Sequence, residues 1–315
     1  MCKYLLILLI FFSTIYANEP IQPLPKTIAY NKEKALLGKK LYFDPILSKD
    51  NTISCASCHN LELGGVDNLQ FSFGIKGQKG IINTPTVLNS IFNFRQMWDG
   101  RAKTLTHQVK FPITNPKEMG NSFENIIKTL NKSTYYNKTF NALYKNGITK
   151  ENIGDALEEF QKTLITPSAF DDFLRGDENA ITENQKKGYE LFNKKGCVSC
   201  HNGINIGGGL YAQFGLTDES IANNLTNQSI KNGYNSDFGL YNITKNDFDK
   251  FYFKVPTLRN VALTYPYLHN GRIKTLNEAI SSIAKAQLGL TLTDEETFLI
   301  EEFLKSLSGK VTIIK

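Results

Sequence analysis

Cys55-Ala56-Ser57-Cys58-His59 and its echo Cys197-Val198-Ser199-Cys200-His201 decide how this chain is read. A C-x-x-C-H run is the attachment signature of a c-type haem. Its two thiols form thioether links to the haem vinyls, and the adjoining histidine becomes the proximal iron ligand. Four of the five cysteines and two of the four histidines fall in these two runs. A C-x-x-C pair alone also fits a redox dithiol or half of a zinc site. Neither accounts for a histidine directly after both pairs. The motif therefore implies two covalent haem c groups, one on Cys55, Cys58 and His59, the other on Cys197, Cys200 and His201.

Each motif is preceded by a helical pattern and followed by a glycine-rich stretch. Ala35, Leu36, Leu37, Leu41 and Tyr42 form an apolar face that stops before Pro45. Residues 60–95 hold Gly64, Gly65, Gly74, Gly77 and Gly80 and predict a long loop over the first haem. Its Phe71, Phe73, Ile81, Ile82, Val87 and Leu88 predict an ordered one. Helices follow at about 103–110, 122–131 (Ser122 as cap) and 150–165, the last with Ile153, Ala156, Leu157, Phe160 and Leu164 on one side.

Thr182-x-x-Gln185 is a capping box opening the helix that leads into Cys197. Residues 203–240 form the second glycine- and asparagine-rich loop. Thr275-x-x-Glu278 and Thr293-x-x-Glu296 cap two closing helices. Strand signals are few. The expected fold is mostly α, a duplicated pair of cytochrome c-like haem domains with long glycine-rich loops. The expected boundary is Thr166-Pro167-Ser168, dividing an N-terminal domain at 18–165 from a C-terminal one at 166–315.

The 315 residues suffice for two such domains. With 41 % hydrophobic and 21 % charged residues, the composition is globular and excludes a disordered chain. A net charge of +6 is an ordinary solvated surface, with no nucleic-acid partner expected. The first residues, MCKYLLILLIFFSTIYA, combine one lysine, an apolar run from Tyr4 to Ile15 and small Ala17. That is a secretory signal peptide at 1–17, its apolar run too short for a comfortable membrane span. The mature protein is expected to be exported to the periplasm without a membrane anchor, where covalent haem attachment takes place.

Several runs then resemble one family: CASCHNLELGGVDNL (55–69), NTPTVLNSIFN (83–93), MWDGRA (97–102), NPKEM (115–119), GCVSCHNGINIGGG (196–209), FKVPTLRN (253–260), PYLHNGR (266–272) and AQLGLTLT (286–293). Over about residues 32–308 the chain resembles the bacterial dihaem cytochrome c peroxidases. The resemblance implies that the His59 haem is the peroxide site and that the His201 haem receives electrons from a small c-type cytochrome. It places Trp98 between the haems and puts Gln108 and Glu118 in the distal peroxide pocket. It also assigns Asn83, Thr264 and Pro266 to an interdomain calcium ion and implies a homodimer. A carboxylate suits the chemistry, because O–O cleavage needs a group that moves a proton between the two oxygens. His107 is expected at the surface or behind the pocket, and His269 in a structural hydrogen bond.

Two positions depart from the family. Ile75 stands where it supplies a removable distal histidine to the first haem, and Ile283 where it supplies a distal methionine to the second. Neither side chain can bind iron. The first haem is thus expected to be open to peroxide without reductive activation. The second should lose the potential-raising methionine, with Lys285 a conceivable substitute. The expected function is a periplasmic cytochrome c peroxidase. The alternatives are a relative of the dihaem enzyme that matures methylamine dehydrogenase, which oxidises a protein substrate, and a non-enzymatic dihaem electron carrier.

Overall fold

The apolar face at 35–42 becomes helix α1 (Lys32–Phe43), which buries Ala35, Leu37, Leu41 and Tyr42 and ends at Asp44, ahead of Pro45. Asn31 caps its start by accepting a hydrogen bond from Lys34 N. The computed structural model describes residues 19–217 and 238–315. The expected signal peptide at 1–17 and residues 218–237 of the second loop lie outside them. Among the described residues seven helices have ten or more residues: α1, α2 (Phe123–Lys132), α3 (Thr134–Leu143), α4 (Lys150–Lys162), α5 (Glu183–Lys194), α6 (Leu276–Leu288) and α7 (Asp294–Ser306). The chain is mostly helical, as its periodicity predicts.

The caps follow the sequence. Ser122, Thr182, Thr275 and Thr293 each accept a backbone N–H three residues on, and Gln185 and Glu296 complete capping boxes. The helix expected at 103–110 is instead two short pieces, Leu105–Gln108 and Lys110–Thr114, with Thr104 as the first cap. Helix α3 escaped the pattern because it buries only Tyr136 and Phe140 among polar neighbours. Residues 60–95 are a loop with three single 3₁₀ turns. It buries Val66, Phe71, Ile75 and Leu88, whereas Phe73 and Ile81 are exposed.

The same helix contact is built twice. Helix α1 packs on α4 and α5 packs on α7. A Cβ on Gly38 would stand 1.8 Å from Ala156 O and 2.9 Å from Phe160 Cβ; one on Gly188 would stand 2.0 Å from Leu299 O and 2.9 Å from Phe303 Cβ. Only glycine permits backbones this close. One core gathers Leu37, Leu41, Phe140 and Phe160, the other Phe170, Tyr189, Phe192 and Phe303. The termini cross over. Ile21 belongs to the second core, while Val311, Ile313 and Ile314 pack against the first. Leu24 N donates to Asp171 Oδ1, and Asp171 forms a fully buried ion pair with Arg259 at 3.0 Å.

A repeat also joins the halves. In Pro85–Asn89, Thr86 Oγ1 donates to Gly64 O; in 256–260, Thr257 Oγ1 donates to Asn205 O. Asn89 and Asn260 both adopt left-handed backbone, φ 58° and 61°. Both donate from Nδ2 to Thr166 Oγ1 at 2.7 Å. Thr166, at the expected boundary, is thus buried and gripped from both sides. The turns 96–102 and 267–273 match in the same way, with Met97 at φ 71° and Leu268 at φ 69°. This repeat makes Trp98 the counterpart of His269 and Asn83 the counterpart of Lys254. The counterparts clasp reciprocally: Lys254 N donates to Trp98 O at 2.9 Å and Asn83 N to His269 O at 2.8 Å. One two-stranded antiparallel ladder, β1 (Tyr211–Gln213) with β2 (Tyr252–Lys254), holds Lys254 opposite Tyr211.

Candidate haem and peroxide site

Cys55 and Cys58 open and close a single helical turn, three residues apart and therefore on one face. Ser54 and Ser57 cap each other at its start, and His59 N donates to Cys55 O to close it. His59 Nδ1 lies 3.1 Å from Gly65 O. With Nδ1 donating to that carbonyl, Nε2 keeps its lone pair for a metal. Burial holds the imidazole below the usual histidine range, in the neutral form a ligand needs. Tyr42 Oη donates to His59 O and fixes the turn against α1.

The second turn, Cys197–Ser199, follows Gly196 in left-handed backbone. His201 Nδ1 faces Ile206 O at 3.4 Å, and burial lowers the imidazole to about 4. Burial pushes Cys55 up to about 12 and Cys58 and Cys197 up to about 11. A redox dithiol needs the opposite shift, so that alternative loses support. Among the described residues no group of three or more His, Cys, Asp or Glu is placed to hold a metal.

A cavity of about 280 Å³, near the lower bound for small-molecule sites, opens beside the second turn. Cys197, Cys200 and His201 line it, with Phe253, Ile283 and Leu304 on its apolar walls. Trp98, Thr84 and Pro85 of the first half reach the same cavity. Two thiols, one neutral imidazole and apolar walls fit a haem c. Ile283 thus lines the cavity, while Lys285 is exposed and takes no part in it.

Glu118 follows the piece Lys110–Thr114 in a turn closed by its N–H to Asn115 O. Burial raises its carboxyl above the usual range; the bond from Asn115 Nδ2 to Oε1, at 2.7 Å, and the charge of Arg101 oppose this. After burial, and with Asp67, its charge helps to raise the thiol of Cys58 in the first turn. Ile75 is buried beside it, with Ile75 N donating to Glu118 O at 2.8 Å. Gln108 ends a short helix half-buried, its amide without a hydrogen-bond partner among the described residues. His107 accepts from Lys103 N beside it.

Trp98 is half-buried, donates from Nε1 to Asn83 O at 2.9 Å, and meets His269 edge-on at 6.4 Å. His269 stacks on Phe253 at 4.4 Å. Asn83, Thr264 and Pro266 also line the cavity. Asn83 Nδ2 is spent on Leu69 O and Gln70 O, which leaves Oδ1 as an oxygen donor.

Residues 32–179 match the family model for di-haem cytochrome c peroxidase, and residues 185–308 match the model for cytochrome c. A cytochrome c551 peroxidase of Nitrosomonas europaea is 43 % identical over 295 residues, covering 93 % of this chain and 85 % of the relative. This chain belongs to the di-haem cytochrome c peroxidase family. Cytochrome c peroxidase Ccp of Escherichia coli is 46 % identical across 94 % of this chain, which spans 63 % of that relative's length. Among solved structures, a MauG-like protein associated with microbial copper homeostasis superposes with a TM-score of 0.77 at 26 % identity, covering 95 % of each chain. Family membership implies haem c, which the two turns are built to hold.

Sequence reading missed the clasp, and with it Lys254. The signal was present: NTPTVLN (83–89) and KVPTLRN (254–260) align as a repeat, which pairs Lys254 with Asn83.

Proposed function

We propose that this chain is a peroxidase that reduces hydrogen peroxide to water with electrons from a reduced c-type cytochrome. Peroxide is consumed at the Cys55–His59 turn, and electrons arrive at the Cys197–His201 turn. The observation that carries this reading is a half-buried Glu118, whose carboxyl is raised by burial and whose charge is felt at Cys58 of the first C-x-x-C-H turn. Two one-electron donors and two protons convert one peroxide to two waters. When bound, the haems supply the redox chemistry, receiving electrons singly and passing them to the peroxide.

The remaining work falls to side chains. Glu118 takes a proton from one peroxide oxygen and returns it to the leaving oxygen. Gln108 offers its unengaged amide to the substrate. His59 and His201 would hold the iron of each haem, their imidazoles oriented by the backbone carbonyls that Nδ1 faces. Trp98 sits where the halves clasp and provides the aromatic path between them. The division into a peroxidatic unit at 18–165 and an electron-receiving unit at 166–315 belongs to the same reading. So do export to the periplasm behind a signal at 1–17 and assembly as a homodimer, which sedimentation equilibrium measures. Among the described residues no helix is long and apolar enough to cross a membrane.

Mixing the oxidised protein with peroxide and a reduced small cytochrome c tests the reading. Donor oxidation in many turnovers, two donors per peroxide, is the expected result. An oxidised protein that persists and spends itself slowly would point to a protein-oxidising enzyme instead, and an inert one to an electron carrier. The names of the more similar relatives favour the peroxidase.

Asn83, Thr264 and Pro266 all line the cavity, and their side-chain and backbone oxygens are of the type calcium takes. Chelator-washed protein is expected to rebind calcium in titration calorimetry, and Asn83→Leu to abolish the uptake. Uptake that survives this substitution removes Asn83 from the site.

A further inference from the structure

Among the described residues, Lys254 is the only Lys, Arg, Asp or Glu lining the cavity beside Cys197–His201. It is 6 % exposed, on strand β2, and its backbone N–H is engaged by Trp98 O. Its ammonium has no hydrogen bond or ion pair among the described residues, and no Asp or Glu reaches the cavity wall. Burial alone pulls the amine down to about 8. An unpaired buried ammonium is costly, and a cavity with no acidic residue among its described lining leaves its counter-charge to be supplied by the group bound there. The fold repeat sharpens the point. Its counterpart Asn83 is neutral and spends its amide on two backbone carbonyls, whereas Lys254 lines the same cavity with no side-chain partner among the described residues.

We propose that Lys254 is the counter-cation for a carboxylate of the group bound at Cys197, Cys200 and His201, namely a haem propionate. This rests on reading that turn as a haem attachment site. The pair matches charge with charge where water is excluded, so the ammonium is a fixed positive charge close to the electron-receiving iron. A positive charge disfavours the oxidised, more positive metal. Lys254 therefore acts as a positioning residue that orients the macrocycle and raises its potential, in a chain whose Ile283 supplies no methionine to do so.

The test is a spectroelectrochemical titration of the two-haem protein and its Lys254→Met and Lys254→Arg variants, with haem counted by pyridine haemochrome. In Lys254→Met the oxidised-to-reduced ratio of the second haem at a fixed ambient potential should rise about tenfold, which is 59 mV for one electron. The first haem should not move, and arginine should restore the parent ratio. Two haems with no shift, or a shift confined to the first haem, overturns the proposal. Fewer than two haems in the parent protein would instead overturn the attachment reading beneath it. If Lys254→Met fails to accumulate, Lys254→Arg decides alone. Its resonance Raman propionate-bending band should shift from that of the parent, and an unmoved band overturns the pairing.

Discussion

Replacing Glu118 by glutamine is expected to lower peroxide turnover about 10²–10⁴-fold, the usual worth of a positioned acid–base group. The substitution is mild for the fold. Glutamine keeps an Oε1 that can accept from Asn115 Nδ2, so the turn at 115–120 retains its bond. It also leaves Ile75 N on the backbone carbonyl of residue 118, which no side chain affects. What glutamine removes is the ability to accept and return a proton.

The pH profile separates this role from a structural one. Burial, the largest influence, raises the Glu118 carboxyl, with Asn115 and Arg101 holding it back. The proton-accepting form is therefore lost at a higher pH than an ordinary exposed carboxylate would allow. Parent turnover should fall as pH drops through that raised value, and the glutamine variant should lose this acid limb. Steady-state donor oxidation across pH, with haem content as a control for folding, measures both effects. A variant within tenfold of the parent with the same acid limb would remove Glu118 from the chemistry.

The parts of this molecule that were legible in the sequence are those encoded locally. Each C-x-x-C-H turn carries its chemistry in five consecutive residues, and caps such as Thr182 with Gln185 need only a four-residue spacing. Long-range features were hidden by the same logic. Gly38 looks like a flaw in a helix until Ala156 O is found where its side chain would be. Ile21 lies among Pro20, Pro23 and Pro25 with no helical or strand pattern around it, yet it packs in the core built by Phe170 and Phe303. Lys254 lies in a run that resembles the family but carries no chemical signal of its own; the clasp of its backbone to Trp98 and its place on the cavity wall single it out. Glu118 was a different case. Burial statistics favour a solvated acid, and its resemblance to a family motif, not its local pattern, singled it out.

Installing a histidine at Ile75 is expected to convert a protein that reacts with peroxide as isolated into one that must first be reduced. Ile75 lies in a 3₁₀ turn, 5 % exposed, that is fixed rather than loose. Its N–H is bonded to Glu118 O, Gln78 Nε2 donates to Pro116 O, and a Cβ on Gly120 would fall 2.4 Å from Ile75 Cδ1. An alkyl side chain here offers no lone pair, so nothing at this position competes with peroxide for the first iron. The oxidised parent should accordingly show a high-spin first haem and begin turnover without a lag. An imidazole in the same turn, beside Glu118, introduces such a competitor. If it occupies the iron 99 % of the time, the reactive fraction and the initial rate fall about 100-fold. Pre-reduction with the donor should recover part of the rate by weakening that ligation. Electron paramagnetic resonance of the oxidised Ile75→His variant reads the ligand directly and stopped-flow mixing reads the rate. A parent whose first haem is already low-spin, or a variant that keeps the parent's high-spin signal and rate, would show that residue 75 does not govern access to the metal.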